Sequence, residues 1–153
     1  MPPASPDNIR RIFLNPRPTV ALLSAADLLG MTLKELKLDI ETGAIVATST
    51  PLGLRIPREE MMAAAMRLWE QSSIETALGD AAPAILPEAI RLVQLRARVP
   101  RYQRDVLVAL AQQEATSVDA ILQSQLEDLA CANAAELMDS VPTLRVGLSW
   151  PGA

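Results

Sequence analysis

Hydrophobic residues recur at helical spacing in several stretches of the chain, and in one stretch they alternate with polar residues. The helical spacing, in which apolar positions are three or four residues apart, predicts helices at 24–29, 32–41, 58–71, 101–114 and 118–132. Short strands are predicted at 44–48 and 52–57, around a turn at 49–51 that contains Pro51. These elements predict a mainly α-helical fold with short strands.

The first two helices carry start and stop signals. Ser24 and Thr32 are suited to helix N-caps, and Glu35 follows Thr32 at the spacing of a capping box. Gly30 between the helices is suited to a left-handed turn. Two short helices joined in this way have the spacing of a helix-turn-helix.

The alternating stretch is residues 93–99, which predicts a strand with one apolar and one polar face. The apolar face consists of Val93, Leu95, Ala97 and Val99, and the polar face of Gln94, Arg96 and Arg98. Since no other strand lies in this part of the chain, the strand requires a second chain as its partner. We therefore expect a homodimer, whose interface contains the apolar face together with Leu122 and Leu126.

Composition excludes several classes of chemistry. The 153 residues contain no histidine and one cysteine, Cys131, so Ser-His-Asp and Cys-His catalysis, a His/Cys zinc site and an internal disulfide are excluded. We expect Cys131 to pack inertly in a helix stripe, and we expect neither an enzyme nor a cofactor or metal. The chain has no apolar run long enough to span a membrane and no secretory signal, which predicts a cytoplasmic protein.

Charge is unevenly distributed along a chain of net charge −4. Five arginines lie at the start of the segment 91–133, and all its acidic residues follow them. These arginines are Arg91, Arg96, Arg98, Arg101 and Arg104. Such a basic edge favours phosphate as a partner, and the residue types on the polar strand face suit base edges, since arginine pairs with guanine and glutamine with adenine.

The sequence LLSAADLLGMTLKELKLDIETGAI, followed by RIPREEM, resembles the winged helix-turn-helix of MerR-type and excisionase-like DNA-binding proteins over about residues 20–70. The resemblance implies that helix 32–41 is the recognition helix, with Lys34 and Lys37 towards the groove. Residues 48–55 would form the wing, and Arg55 would contact phosphate. Helix 32–41 also carries Glu35 and further acidic residues, which oppose binding to phosphate. The alternative is therefore that the helix-turn-helix at 20–70 is a module for packing or for binding a partner.

Residues 92–130 resemble a ribbon-helix-helix domain, in which two chains pair their strands into an antiparallel ribbon that enters the major groove of double-stranded DNA. The resemblance implies base contacts from Gln94, Arg96 and Arg98, and phosphate contacts at the start of the second helix, at Ser117 and Val118. The flanking Arg91, Arg101 and Arg104 would also contact phosphate. Family members commonly have glycine between the two helices, whereas this chain has Ala115. Since alanine resists a left-handed conformation, we expect a different turn here.

The expected organisation has five parts. An arm without regular structure covers 1–19, the winged helix-turn-helix-like domain 20–70, an acidic linker with at most a short helix 71–90, the ribbon-helix-helix domain 91–133, and a tail 134–153. The tail is apolar, so we expect it to fold back on its own domain or to bind a protein partner. Its candidate contacts are Leu144, Val146, Leu148 and Trp150.

These observations favour a dimeric transcriptional regulator, acting as a repressor that reads DNA with the 93–99 ribbon. An antitoxin-like or adaptor dimer that mainly binds a protein partner is the alternative. A third hypothesis is a structural dimer that binds no nucleic acid.

Overall fold

The computed structural model describes residues 4–152 and divides the chain into two compact units. The first unit comprises residues 4–92 and 149–152, and the second comprises residues 93–148. Helices predominate, and the described strands form one three-stranded antiparallel sheet. This confirms a mainly α-helical fold with short strands. None of the described helices has the length and apolar character required to cross a membrane.

The first unit begins with a helix, a strand and two helices, and continues with a hairpin and further helices. These elements are α1 (Pro6–Phe13), β1 (Thr19–Ala21), α2 (Leu22–Leu29), α3 (Leu33–Glu41), β2 (Thr48–Thr50), β3 (Gly53–Pro57), α4 (Arg58–Leu68), α5 (Gln71–Leu78), the 3₁₀ turn Gly79–Ala81 and α6 (Ala82–Ile85). The second unit contains α7 (Arg101–Gln113), α8 (Val118–Ala132) and α9 (Ala134–Leu137), and the last helix is α10 (Leu144–Ser149).

The sheet has the order β1-β3-β2, with β3 in the centre. Val20 of β1 lies opposite Ile56, and Ser49 of β2 lies opposite Leu54. The predicted second strand is therefore confirmed from Gly53 onwards. The prediction of the first strand at 44–48 and of the turn at 49–51 is wrong, because β2 shares only Thr48 with the predicted strand and the turn lies at 51–52. The buried Ile56 joins the sheet to the core of the first unit.

The prediction of an arm over 1–19 is wrong. Residues 1–3 lie outside the described part, but Pro6–Phe13 forms α1, with Ile9, Ile12 and Phe13 buried in the core. Pro6 occupies the first turn, where its missing N–H costs nothing, so the proline content did not prevent a helix. The apolar spacing of three and four residues is the signal of this helix.

The prediction of a linker over 71–90 is also wrong. Helix α5, the 3₁₀ turn and α6 occupy most of this segment, and Ile74, Leu78, Ala82 and Leu86 are buried in the same core. Ile74 and Leu78 lie in α5, Ala82 in α6 and Leu86 directly after α6, so both helices contribute to this core. The first unit therefore extends well beyond residue 70.

The helix-turn-helix region agrees with the prediction except at its first residue. Helix α2 begins at Leu22 directly after β1, so Ser24 lies inside the helix and is not its cap. Gly30 ends α2 in a left-handed conformation, with φ 68°. Thr32 caps α3 and forms the predicted capping box with Glu35.

The second unit has very little core of its own. Within 93–148, all of which the structure describes, only Ala111 and Ile121 are buried. Helices α7 and α8 pack against each other. By contrast, the first unit buries aliphatic side chains from every one of its longer helices. The second unit is therefore short of the buried apolar surface that an independent fold requires.

Candidate nucleic-acid interface

Residues 93–100 form neither a helix nor a strand within the single chain, and every one of them is exposed. The apolar side chains of Val93, Leu95 and Val99 are 87%, 71% and 50% exposed. The apolar face of this segment, which was expected to be buried, is therefore exposed in the single chain. A strand needs a hydrogen-bonding neighbour, so the predicted pairing with a second chain stays a prediction.

The polar side of this segment carries Gln94, Arg96 and Arg98. All three are exposed, and none makes a hydrogen bond or ion pair with another described residue. Their guanidinium and amide groups are therefore available to an external partner. The spacing of two residues would place them on one face of an extended chain.

Two further arginines lie in the first turn of α7 and share one carboxylate. The Asp105 carboxylate lies 3.7 Å from Nε of Arg101 and 3.0 Å from a terminal nitrogen of Arg104. All three side chains are more than half exposed, so these ion pairs contribute little to stability in water. A phosphate can replace the carboxylate at low cost, since the same donors fit both anions.

The first turn of α8 presents backbone N–H groups. Ser117 is the N-cap, and its hydroxyl accepts a hydrogen bond of 3.1 Å from the N–H of Ala120. Val118 is the first helical residue, where a backbone N–H has no partner inside the helix. The helix dipole favours an anion at this end.

The turn between α7 and α8 corrects the expectation for Ala115. This residue adopts the left-handed conformation with φ 51°, which glycine usually occupies. The N–H of Ala115 donates to the Gln112 carbonyl, and the N–H of Thr116 donates to the Ala111 carbonyl. Both bonds belong to the Schellman motif that closes many helices. The hydrogen bonds therefore outweigh the preference of alanine, and the turn has the geometry that glycine would give.

Large apolar side chains are exposed mainly in the second unit, which holds fourteen of the twenty such residues in the described chain. On α7, Tyr102, Val106 and Leu110 recur every four residues, and Val108 is exposed on another side of the helix. On α8 the exposed apolar side chains are Leu122, Leu126 and Leu129. Of these helical residues, only Leu122 and Leu126 were expected at the dimer interface, although the others have the same helical spacing in the sequence. Each helix thus has an uncovered apolar stripe.

The outer face of α3 is less acidic than its composition indicates. At 100° per residue, Lys34, Lys37, Leu38 and Glu41 lie within one sector of about 100°, opposite the buried Leu36. Both lysines are exposed and line a shallow depression that also contains two acidic side chains; the other lining residues are Thr32, Leu33, Glu35, Leu38 and Glu41.

The Glu35 carboxylate serves mainly to cap its own helix. The Thr32 backbone N–H donates to it at 2.7 Å and the Thr32 hydroxyl at 2.9 Å. These hydrogen bonds lower the pKa of Glu35 below its ordinary value of 4.5. The group therefore stays ionised at the start of α3, where the helix dipole also favours a negative charge.

Several arginines of the first unit bind within the unit. Arg55 donates to the Thr19 hydroxyl at 2.9 Å and to the Thr19 carbonyl, which joins β3 to β1. Arg10 donates to the Ala77 carbonyl, and Arg67 to the Ala44 carbonyl. Arg55, which was predicted to contact phosphate, therefore already donates hydrogen bonds to Thr19. Arg91, another predicted phosphate contact, is partly buried and its Nε is enclosed without a hydrogen-bond partner among the described atoms.

Only the last described residues of the tail, 149–152, belong to the first unit, whereas residues 134–148 belong to the second. Folding back was expected onto the domain that directly precedes the tail, but Trp150 belongs to the first unit, where it is partly buried and packs against the core. Val146 and Leu148 are exposed, and Leu144 is partly buried. Cys131 is exposed, so the expectation that it is packed is wrong for the single chain.

The described residues contain no cluster of acidic or cysteine side chains that could hold a metal ion. Chemically, the assembled features offer free arginines, a helix N-terminus and uncovered apolar stripes, which suit binding. Comparison of the chain with protein-family models, curated proteins and solved structures finds no match.

Proposed function

We propose that the protein is a dimeric, sequence-specific DNA-binding regulator, acting as a transcriptional repressor, in which two chains pair their 93–99 segments into a ribbon that enters the major groove. The observation that carries this proposal is the segment itself. It alternates apolar and hydrogen-bonding side chains, and both sets are exposed in the single chain.

Dimerisation is supported by the thin core of the second unit. The apolar face of 93–99 and the stripes on α7 and α8 would together form one core if a second copy covered them. Exposed apolar surface of this extent marks an interaction site. A second copy is the simplest occupant, because an antiparallel ribbon satisfies the backbone groups of both chains at once.

The hydrogen-bonding groups on the polar face of the 93–99 segment support DNA as the ligand. Gln94, Arg96 and Arg98 would contact base edges, while Arg101, Arg104 and the start of α8 would contact phosphates. Pairing two chains doubles this set, and a two-fold dimer would select a nearly palindromic site.

The first unit supports an auxiliary contact with DNA. Its order of helix, strand, two helices and hairpin is compatible with a winged helix-turn-helix, and Lys34 and Lys37 lie on the outer face of α3. Its arginines, however, are largely engaged inside the unit. We therefore assign sequence reading to the ribbon and a phosphate contact to α3.

The test is selection of bound sequences from random duplex DNA with the purified full chain. Arg96→Ala or Arg98→Ala should each cost about 1–3 kcal/mol of specific binding. The double variant should lose the selected palindrome. The matched control, Lys34→Ala/Lys37→Ala, should keep the palindrome but show a shallower dependence of affinity on salt. A palindrome that survives removal of both arginines would contradict the assignment.

A second candidate, an antitoxin-like or adaptor dimer that binds a protein, is favoured by the exposed apolar residues that follow α8. These are Leu137, Val141, Val146 and Leu148, and none belongs to the proposed ribbon. Failure to enrich any DNA sequence at low salt would favour this function.

A further inference from the structure

Two segments that flank the second unit in sequence are both anchored in the first unit. On the entry side, Gln71 donates a hydrogen bond to the Ile90 carbonyl, and the Leu92 N–H donates to the Glu75 carboxylate at 2.9 Å. On the exit side, Trp150 packs against the buried core of the first unit. Both ends of the segment 93–148 are therefore attached to the first unit.

The exit anchor is a tryptophan in a short apolar tail, and this choice of residue has physical consequences. Tryptophan removes more apolar surface from water than any other side chain at comparable cost in conformational entropy. Gly152 donates a backbone hydrogen bond to Ser149 at 2.9 Å, which closes a turn around Trp150 and Pro151. Trp150 therefore lies within a hydrogen-bonded turn.

We propose that Ser149–Gly152 is a strap that stabilises the first unit and, by closing the 93–148 segment, limits the conformations of that segment before it pairs with a second copy. Closing a chain lowers its conformational entropy, so part of the ordering cost of pairing is met before the two copies meet. The effect on pairing rests on the proposed function, whereas the effect on the first unit does not.

The first half is tested by hydrogen exchange on the full-length Trp150→Ala chain. We expect the slowest amides of the first-unit helices to lose protection by about tenfold to fiftyfold, since truncation of a packed aromatic side chain favours opening. The matched control is Val146→Ala, which shortens an exposed apolar side chain nearby and should leave these amides unchanged. Unchanged protection in Trp150→Ala would overturn the strap.

The second half is tested by the dimer dissociation constant of the same variants, measured where the first unit remains folded. Trp150→Ala should weaken the dimer by about threefold to tenfold, the range expected for a modest change in chain entropy. Trp150→Phe should retain most of the exchange protection and most of the dimer affinity of the wild type. Loss of protection with an unchanged dissociation constant would overturn the coupling and leave Trp150 as core packing. A wild-type chain that stays monomeric would refute the proposed pairing, while the exchange comparison would still decide the strap.

Discussion

Leu95→Asp is the substitution that most directly tests pairing of the 93–99 segments. Leu95 lies in the middle of the segment and is 71% exposed in the single chain. Full burial of a leucine side chain contributes about 1.5–3 kcal/mol, so covering the exposed part contributes about 1–2 kcal/mol per chain. A symmetric dimer contains the residue twice.

The loss in the dimer is therefore about 2–4 kcal/mol, which corresponds to a dissociation constant raised about 30-fold to 700-fold. Aspartate adds to this loss, because its carboxylate would be taken out of water without a partner. The measurement is sedimentation velocity over a concentration series, with near-ultraviolet circular dichroism to verify that the buried Trp69 keeps its environment.

Gln94→Asp is the matched control, since it introduces the same charge one residue away on the opposite face of the predicted strand. We expect this variant to dimerise like the wild type but to bind DNA more weakly, because the new carboxylate would face phosphates. A folded Leu95→Asp chain that dimerises as tightly as Gln94→Asp would refute the ribbon.

Three further predictions concern the fold. Ala115→Gly should raise the free energy of unfolding by about 0.5–1 kcal/mol, because relief of left-handed strain exceeds the added entropy of the unfolded chain; a loss of stability in urea titration would contradict the turn. Phe13→Ala should cost about 3–4 kcal/mol in the same assay, as expected for a fully buried aromatic ring, whereas a cost near zero would contradict the placement of α1. Glu35→Ala should lower the melting temperature at neutral pH. Because the folded pKa of Glu35 is lowered, its contribution is present above 4.5 and is lost as the pH falls through the folded pKa. A melting-temperature difference that does not shrink in acid would contradict the capping box.

Local signals allowed much of the helix-turn-helix region to be predicted. Gly30 and the pair Thr32 and Glu35 act within one turn of the chain, so their roles follow from residue type and spacing. The missed helix α1 carried an equally local signal, the spacing of Ile9, Ile12 and Phe13. In the sequence alone, this signal is offset by the neighbouring prolines, a residue type that is unfavourable inside a helix.

Other features depend on distant parts of the chain and have no local signal. Arg10 and Ala77 are 67 residues apart, and Arg55 and Thr19 are 36 apart. Nothing near either arginine indicates that its guanidinium will donate inside the unit. The alternation over 93–99 is a local pattern, but the strand that it predicts needs a hydrogen-bonding neighbour, which the single chain does not provide.

Arginines of the first unit have hydrogen-bond partners in neighbouring segments, whereas the arginines of the 93–99 segment have none among the described residues. This difference follows from how much core each unit has. In the first unit a large core fixes chain crossings, so that Arg55 and Arg67 can reach carbonyl or hydroxyl oxygens of neighbouring segments. The second unit has almost no core, and no other described residue takes up the guanidinium groups of Arg96 and Arg98. Exposed arginines beside uncovered apolar positions are costly to order in isolation. Association would offset that cost by burying the apolar face of the segment. The same step would bring the arginines of two chains together on the polar face. Folding of the second unit, pairing and DNA binding would therefore be thermodynamically linked.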